Sequence, residues 1–512
     1  MNDRKDVSMD HHRTPLFTAL QQHAAGDPLQ FHIPGHKKGR GADPEFRSFV
    51  GDNALSIDLI NIVPLDDLHQ PAGVIREAEQ LAADAFGADY TLFSVQGTTG
   101  AIMTMLMSVC SPRDKIIIPR NAHKSILSAV IFAGALPVWV EPEKDARLGI
   151  EHGVTLESIR QAISRNPDTK AVLLINPTYY GTCINLRQMV EFIHSCNIPV
   201  LVDEAHGTLL HFHERLPMSA MQAGADMAAT SVHKLGGSMT QSSVLNVKGD
   251  RVSIKRIRTF MSMLTTTSTS YLLLSSLDAA RRQLALHGQA LAEQTIRLAR
   301  DARRQINEIS GLYCYGDEIC EKEGVFHYDP TKLCIHLDQL DITGFGAEEW
   351  LRKTYKIEVE LSDLKNLLCL ITLGDTEREV SRLLQALRHM SELFRCREIP
   401  YTRACAAIVP AASRFSLPPR DAFYARSESI RLQQSIGRVI TEFVYVYPPG
   451  IPILMPGQII TPEAVDYIRR HLKAGLPVKG TEDPDIQKLR VVAAPRQESE
   501  ALGSRSGYII PD

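Results

Sequence analysis

Lys234 stands beside His233 in TSVHKLGG (230–237), after a run of small apolar residues and before a glycine pair. An ammonium at the end of a buried strand loses hydration, a cost that some partner or chemistry has to offset. Free lysine has a pKa of about 10.4, so at neutral pH only about one in a few thousand carries the nucleophilic amine. Desolvation lowers that value and lets the amine form a Schiff base with a carbonyl carbon. Asp203 closes another apolar run, IPVLVDE (198–204). A carboxylate there wants a cation or a donor, although a structural hydrogen bond would satisfy it equally well. QGTTG (96–100) precedes AIMTMLMSV, and small hydroxyl residues with free backbone N–H groups at a helix start form an anion site. The same residues also cap helices for structural reasons alone. His123, in NAHKS (121–125), offers a flat ring that can stack on a heteroaromatic ligand or hydrogen-bond a carboxylate, or simply cap a helix.

These residues need a frame that brings them together. ADYTLFSV (88–95), DKIIIPR (114–120), LPVWVE (136–141), AVLLINP (171–177), IPVLVDE (198–204) and MAATSV (227–232) read as strands, with amphipathic helices at 155–166 and 186–197 between them. That alternation predicts an α/β fold with a mostly parallel sheet covered on both faces. Ligands of such sheets bind beyond the carboxyl ends of the strands, which puts QGTTG, NAHKS, TYYG (178–181), DEAHG (203–207) and the His233–Lys234 pair on one rim. From about Ser270 a long helical pattern follows, and then a mixture of strands such as KLCIHLD (332–338) and helices such as EREVSRLLQALRHMSELF (377–394), as in a smaller α+β domain. Prolines in VYVYPPGIPILMPGQ (444–458) forbid a regular central strand and predict an ordered loop near something functional. The expected divisions are an N-terminal arm (1–45), a large domain (46–290), a small α+β domain (291–400) and a C-terminal domain with the proline loop and a polar tail (401–512).

Composition narrows the chemistry. The 512 residues are 44% hydrophobic and carry a formal charge of -3, with no run of like charge fit for nucleic acid or a membrane surface. No stretch has the roughly 20 apolar residues of a membrane span, and the polar start lacks a secretory leader, so a cytoplasmic protein is expected. The 9 cysteines form no CxxC pair, and no metal site is expected. Small-molecule chemistry is the remaining class. An anion cradle, a buried aspartate and a Schiff-base lysine are together what pyridoxal phosphate requires.

Seven stretches then carry a family resemblance: FHIPGHKKGRG (31–41), LDDLHQPAGVIREAEQLAADAFGADYTLFSVQGTTG (65–100), IIIPRNAHKSILSAVIFAGALPVWVEP (116–142), LVDEAHG (201–207), TSVHKLGG (230–237), TTTSTSYLLLSSLD (265–278) and YPPGIPILMPGQ (447–458). Together they resemble the ornithine/lysine/arginine decarboxylase family, in its short form without an additional N-terminal domain. The resemblance implies an aspartate-aminotransferase-type fold and a pyridoxal-phosphate-dependent decarboxylase acting on a basic amino acid (lysine, ornithine or arginine) to give the corresponding amine. It implies Lys234 as the Schiff-base residue, Asp203 as partner of the pyridinium nitrogen and His123 as the stacked ring. Thr98, Thr99, Ser231 and His233 match phosphate-contacting positions, with Ala205, His206 and Ser268 also at the cofactor. The 265–270 run resembles a loop that reaches the site across a dimer interface, which implies a homodimer or a higher homo-oligomer.

Two departures bear on the substrate. DLINI (58–62) has Asn61 where the family carries a glutamate, and Gln458 likewise replaces an acid after proline-glycine. A buried cation needs carboxylates, which leaves Glu442 and Asp66 or Asp67 as candidates for the distal end of the substrate. Lysine, ornithine and arginine all stay open on this reading. So do another reaction on the same cofactor, such as transamination, elimination or decarboxylation of a modified amino acid, and a non-catalytic regulatory relative.

Overall fold

The computed structural model describes residues 9–396, 413–446, 451–473 and 477–494. The start of the YPPGIP loop (447–450) and the polar tail from 495 lie outside the described residues. Seven strands make the large sheet: β1 (Tyr90–Ser94), β2 (Lys115–Pro119), β3 (Leu136–Val140), β4 (Thr169–Ile175), β5 (Val200–Asp203), β6 (Met227–Thr230) and β7 (Ser243–Val247). Their spatial order is β1-β7-β6-β5-β4-β2-β3. The run from β6 to β3 is parallel, and β7 is antiparallel to both of its neighbours. β5 and β6 are buried at every position, which is why their sequences are nearly all apolar and not alternating. The mixed, mostly parallel sheet is the α/β fold expected. β7 was not foreseen, because SVLNV follows the Lys234 segment closely and has only three apolar residues to announce it.

MAATSV does not run as a strand to Val232. β6 stops at Thr230, Ser231 takes the N-cap position, and Val232–Leu235 forms a single helical turn. Lys234 is therefore carried on that turn and not on the strand itself.

The sheet is covered on both faces. One core joins helix α1 (Pro15–Ala25) and helix α2 (Val74–Phe86) to a long helix from Tyr271 to Asn307; the opposite core packs helix α3 (Gly97–Val109) and helix α4 (Lys124–Ala133) on the sheet. Thr14 gives α1 no side-chain cap, and Asp278 supplies one from the long helix, accepting from the N–H groups of Leu16 and Phe17. Arg281, 1% exposed, neutralises Asp278 at 2.6 Å and donates to the carbonyls of His11 and Arg13, which fastens the arm.

The long helix, α5 here, leads into a four-stranded antiparallel sheet of β8 (Tyr313–Cys314), β9 (Lys332–His336), β10 (Leu361–Ser362) and β11 (Asn366–Leu370), in the order β8-β9-β11-β10. Helix α6 (Gly344–Tyr355) and helix α7 (Glu377–Phe394) complete its core. The last elements are β12 (Ser427–Arg431), β13 (Val444–Val446), β14 (Ile451–Leu454), helix α8 (Pro462–Lys473), β15 (Val478–Lys479) and β16 (Lys488–Val492). Residues 444–446 and 451–454, expected as loop, form strands after all, 444–446 in the middle of a three-stranded sheet. β14 is an edge strand of the order β14-β13-β15, so the missing N–H of Pro452 need not break a central ladder. Among the described residues no helix is long and apolar enough to cross a membrane.

Candidate active site

Beyond the strand ends lies a cavity of about 610 Å³ whose walls include Thr98, Thr99, His123, Asp203, Ala205, His206, Ser231, His233 and Lys234. Residues far apart in the chain thus meet on the rim that the strand reading predicts. α3 begins at Gly97, whose φ of +67° suits a residue without a side chain. Its N–H donates to the carbonyl of Gln241 at 2.9 Å. The buried Thr98 hydroxyl contacts Ser231 Oγ and lies 2.8 Å from Ser243 Oγ, while Thr99 is exposed. Hydroxyls from α3, β7 and the Lys234 turn therefore converge at the helix start, where N–H groups favour an anion. His233 donates from Nδ1 to the Ser242 carbonyl at 2.8 Å, which sets the tautomer of its neutral ring.

His123 meets its capping reading and also stands on the cavity wall. It is the N-cap of α4, with Nδ1 accepting from the Ser125 N–H and lying 2.8 Å from Ser125 Oγ, and its ring also faces the cavity. Burial pushes its pKa down, more than nearby Asp203 pulls it up, so the ring is neutral at pH 7. Asp203 is 6% exposed and accepts from the Ala205 N–H at 3.1 Å. Burial pushes its carboxyl up from the ordinary value, against the pull of His123, that N–H group and Lys234. Glu204 takes a different part. Its carboxylate accepts from Ala220 N at 2.6 Å and from the Thr230 hydroxyl at 3.2 Å, a tie between strand and helix outside the cavity.

Lys234 Nζ lies 2.7 Å from His206 Nε2 and 5.7 Å from the centre of the Tyr179 ring. Burial lowers its pKa, with Asp203 and then Glu360 opposing. The Tyr179 hydroxyl donates to Glu360 at 2.7 Å, and its ring sits 4.5 Å from that of His206. On the far side of His206, Nδ1 lies 2.9 Å from Lys332 Nζ. Sequence reasoning missed Lys332 and Glu360. Lys332 opens KLCIHLD and reads as an ordinary strand-edge lysine, and its contact to His206 spans 126 residues. Tyr179 was within reach, since TYYG is one of the strand-end segments.

Other candidates sit elsewhere. Ser268 is exposed, with its hydroxyl 3.2 Å from that of Thr266. Asn61 is exposed too and donates to Asp67 at 3.3 Å. Asp66 accepts from the backbone N–H groups of Asp67, Ala72, Gly73, Ile75 and Arg76. Burial pushes its carboxyl up, but these donors outweigh burial and hold it below its usual value. Glu442 lies in the C-terminal layer, where its two oxygens accept from Glu482 N and Arg490 N, each at 2.8 Å. Neither it nor Asn61 lines the Lys234 cavity. Gln458 accepts from Met455 N at 3.0 Å and donates to the Ser413 carbonyl at 2.8 Å. A glutamate could not make that second bond, which gives the amide a structural reason.

The arrangement offers an anion, a protonated ring nitrogen and a carbonyl carbon each a partner within one cavity. Residues 14–379 match the family model described as "Orn/Lys/Arg decarboxylase, major domain", and 407–481 match its C-terminal domain. The chain is 58% identical to a Bacillus anthracis protein named arginine decarboxylase over 94% of this chain and 98% of the relative. A protein of the same name from Bacillus subtilis is 56% identical, covering 94% and 99% of the two chains. Among solved structures, lysine decarboxylase A from Pseudomonas aeruginosa superposes with a TM-score of 0.81 at 22% identity, over 94% of this chain and 80% of the other.

Proposed function

The chain belongs to the Orn/Lys/Arg decarboxylase family and is a decarboxylase, and on that premise we propose that it releases carbon dioxide from arginine with pyridoxal phosphate held at Lys234. The observation that carries this reading is the single cavity joining the hydroxyl cradle at Thr98 and Ser231, the carboxylate of Asp203 and the amine of Lys234. That donor set fits a phosphorylated pyridine aldehyde, whose three functional groups it complements. When bound, the cofactor supplies an electron sink for the pair left on Cα as carbon dioxide departs. Thr98, Thr99, Ser231 and His233 are assigned to the phosphate. Asp203 holds a proton at the ring nitrogen, and that charge in turn offsets the burial of the carboxylate. His123, with Ala205, bounds the ring, and the neutral imidazole can hydrogen-bond the substrate carboxylate. Lys234 anchors the aldehyde carbon and later hands a proton to Cα. Arginine is favoured over lysine and ornithine by the names of the relatives at 56% and 58% identity.

The test is to load the purified protein with pyridoxal phosphate and offer arginine, lysine and ornithine separately, following carbon dioxide and amine by mass spectrometry. Amine from arginine alone is the expected result. A keto acid in stoichiometric yield without amine would mean transamination instead.

The working unit is proposed to be at least a homodimer. Phe31 (96% exposed), Phe49 (92%) and Val63 (99%) leave large apolar side chains in water around the arm, which a second copy would cover. Ser268, exposed on its own chain, is proposed to complete the partner's cofactor site. Sedimentation should give at least twice the mass of one chain, and a fully active monomer would end this part of the reading.

A further inference from the structure

We propose that Lys234, His206 and Lys332 form a buried chain sharing one excess proton, in which Lys332 is a positioning residue that tunes the proton affinity of the Lys234 nitrogen. The inference rests on the proposed attachment of pyridoxal phosphate at Lys234. His206 is 5% exposed and Lys332 is fully buried, and the two ring nitrogens of His206 are taken up by the two lysines, at 2.7 and 2.9 Å.

The count of donors restricts the charge. A neutral imidazole has one N–H and one lone pair, and an ammonium can only donate. If Lys332 is an ammonium, Nδ1 must accept, Nε2 carries the proton, and Lys234 receives that N–H on its own lone pair. Lys234 must then be the neutral amine. The opposite arrangement charges Lys234 and leaves Lys332 neutral. While both contacts hold, at most one of the two amines is charged. Passage between the two states needs two hops, one from Lys332 to Nδ1 and one from Nε2 to Lys234, with no change in total charge.

The surroundings of the two amines set how that proton is divided between them. Asp329 is the first charge to stabilise the Lys332 ammonium, with Glu360 adding to this and Lys234 opposing. Burial has the largest effect and lowers the Lys332 value to about 8, so Lys332 gives up its proton more readily than a free lysine. His206 is driven well down by burial and by Lys332, Lys234, His123 and His233, so it stays neutral. At Lys234 burial also lowers the proton affinity, while Asp203 and then Glu360 favour the ammonium. The route of the Lys332 side chain is also bounded. A Cβ on Gly181, at φ +101°, would lie 2.7 Å from Lys332 Cδ. The consequence for the reaction is a Lys234 nitrogen whose charge depends on Lys332, with a nearby proton when Lys234 must protonate Cα.

The experiment uses the full-length holoenzyme loaded with pyridoxal phosphate and follows its visible absorbance against pH, in wild type and in Lys332→Met, Lys332→Gln and Lys332→Arg. Removing a like charge favours the protonated form of the Lys234 nitrogen. The midpoint in Lys332→Met should move up by about one pH unit, about tenfold in proton affinity, and the rising limb of the kcat profile should move with it. Lys332→Arg, which keeps charge and donor, should keep the wild-type midpoint. Lys332→Gln removes the same charge with a polar end and serves if the methionine variant does not fold. A folded, cofactor-loaded Met or Gln variant with the wild-type midpoint overturns the proposal. A wild type that shows no cofactor band, in contrast to one whose band is indifferent to residue 332, overturns the functional reading and this inference with it.

Discussion

Replacing Lys234 by alanine should lower carbon dioxide release from arginine by about 10⁴-fold, because one residue supplies both the anchor for the aldehyde and the proton for Cα. The measurement is amine formation by mass spectrometry under saturating cofactor, beside a thermal melt. The melt matters because truncation leaves His206 Nε2 without its 2.7 Å partner. A lost buried hydrogen bond costs about 1–3 kcal/mol, which relief of the desolvated amine partly offsets, so the variant should fold. A folded Lys234→Ala protein within tenfold of wild-type turnover would remove Lys234 from the mechanism.

Asp203→Ala is the second large effect, with turnover down by about 10³-fold. Its carboxylate is buried and accepts from a single backbone N–H group, at Ala205, so its energetic balance depends on what the cavity holds. Without a protonated ring nitrogen the carboxylate is an expense to the fold. The cofactor-free variant should therefore melt no lower than the cofactor-free wild type, while the loaded variant loses the stabilisation that loading gives the wild type. Weaker retention of cofactor on dialysis is the companion result. Near-normal turnover, or a collapse of the cofactor-free fold, would each contradict the role assigned to Asp203.

Much of the site was legible because α/β sheets put strand ends on one rim, and the strand ends could be read as the places where apolar runs stop. Thr98, His123, Asp203 and Lys234 all come from such junctions, and all line the cavity. What stayed hidden depends on pairings across long stretches of chain. Ser243 joins the hydroxyl cluster only because β7 inserts between β1 and β6, a strand with too few apolar residues to announce itself. Lys332 becomes relevant only when the small sheet abuts the large one. Glu442 shows the opposite error: an acid beside a proline loop invites a substrate role, while the amides that occupy it belong to residues 40 and 48 positions later.

Helix α5 is a continuous 37-residue rod, about 55 Å long at the usual rise per residue. Its residues from Tyr271 to Ile296 belong to one hydrophobic core, and those from Leu298 to Ile306 to the core of the small sheet. Neither core can melt without fraying a helix that the other is holding. The two should lose structure in one cooperative transition, a linkage that no loop between separate bodies would impose. Since Lys234 stands on one side of that joint and Lys332 on the other, whatever binds between them tightens both halves at once.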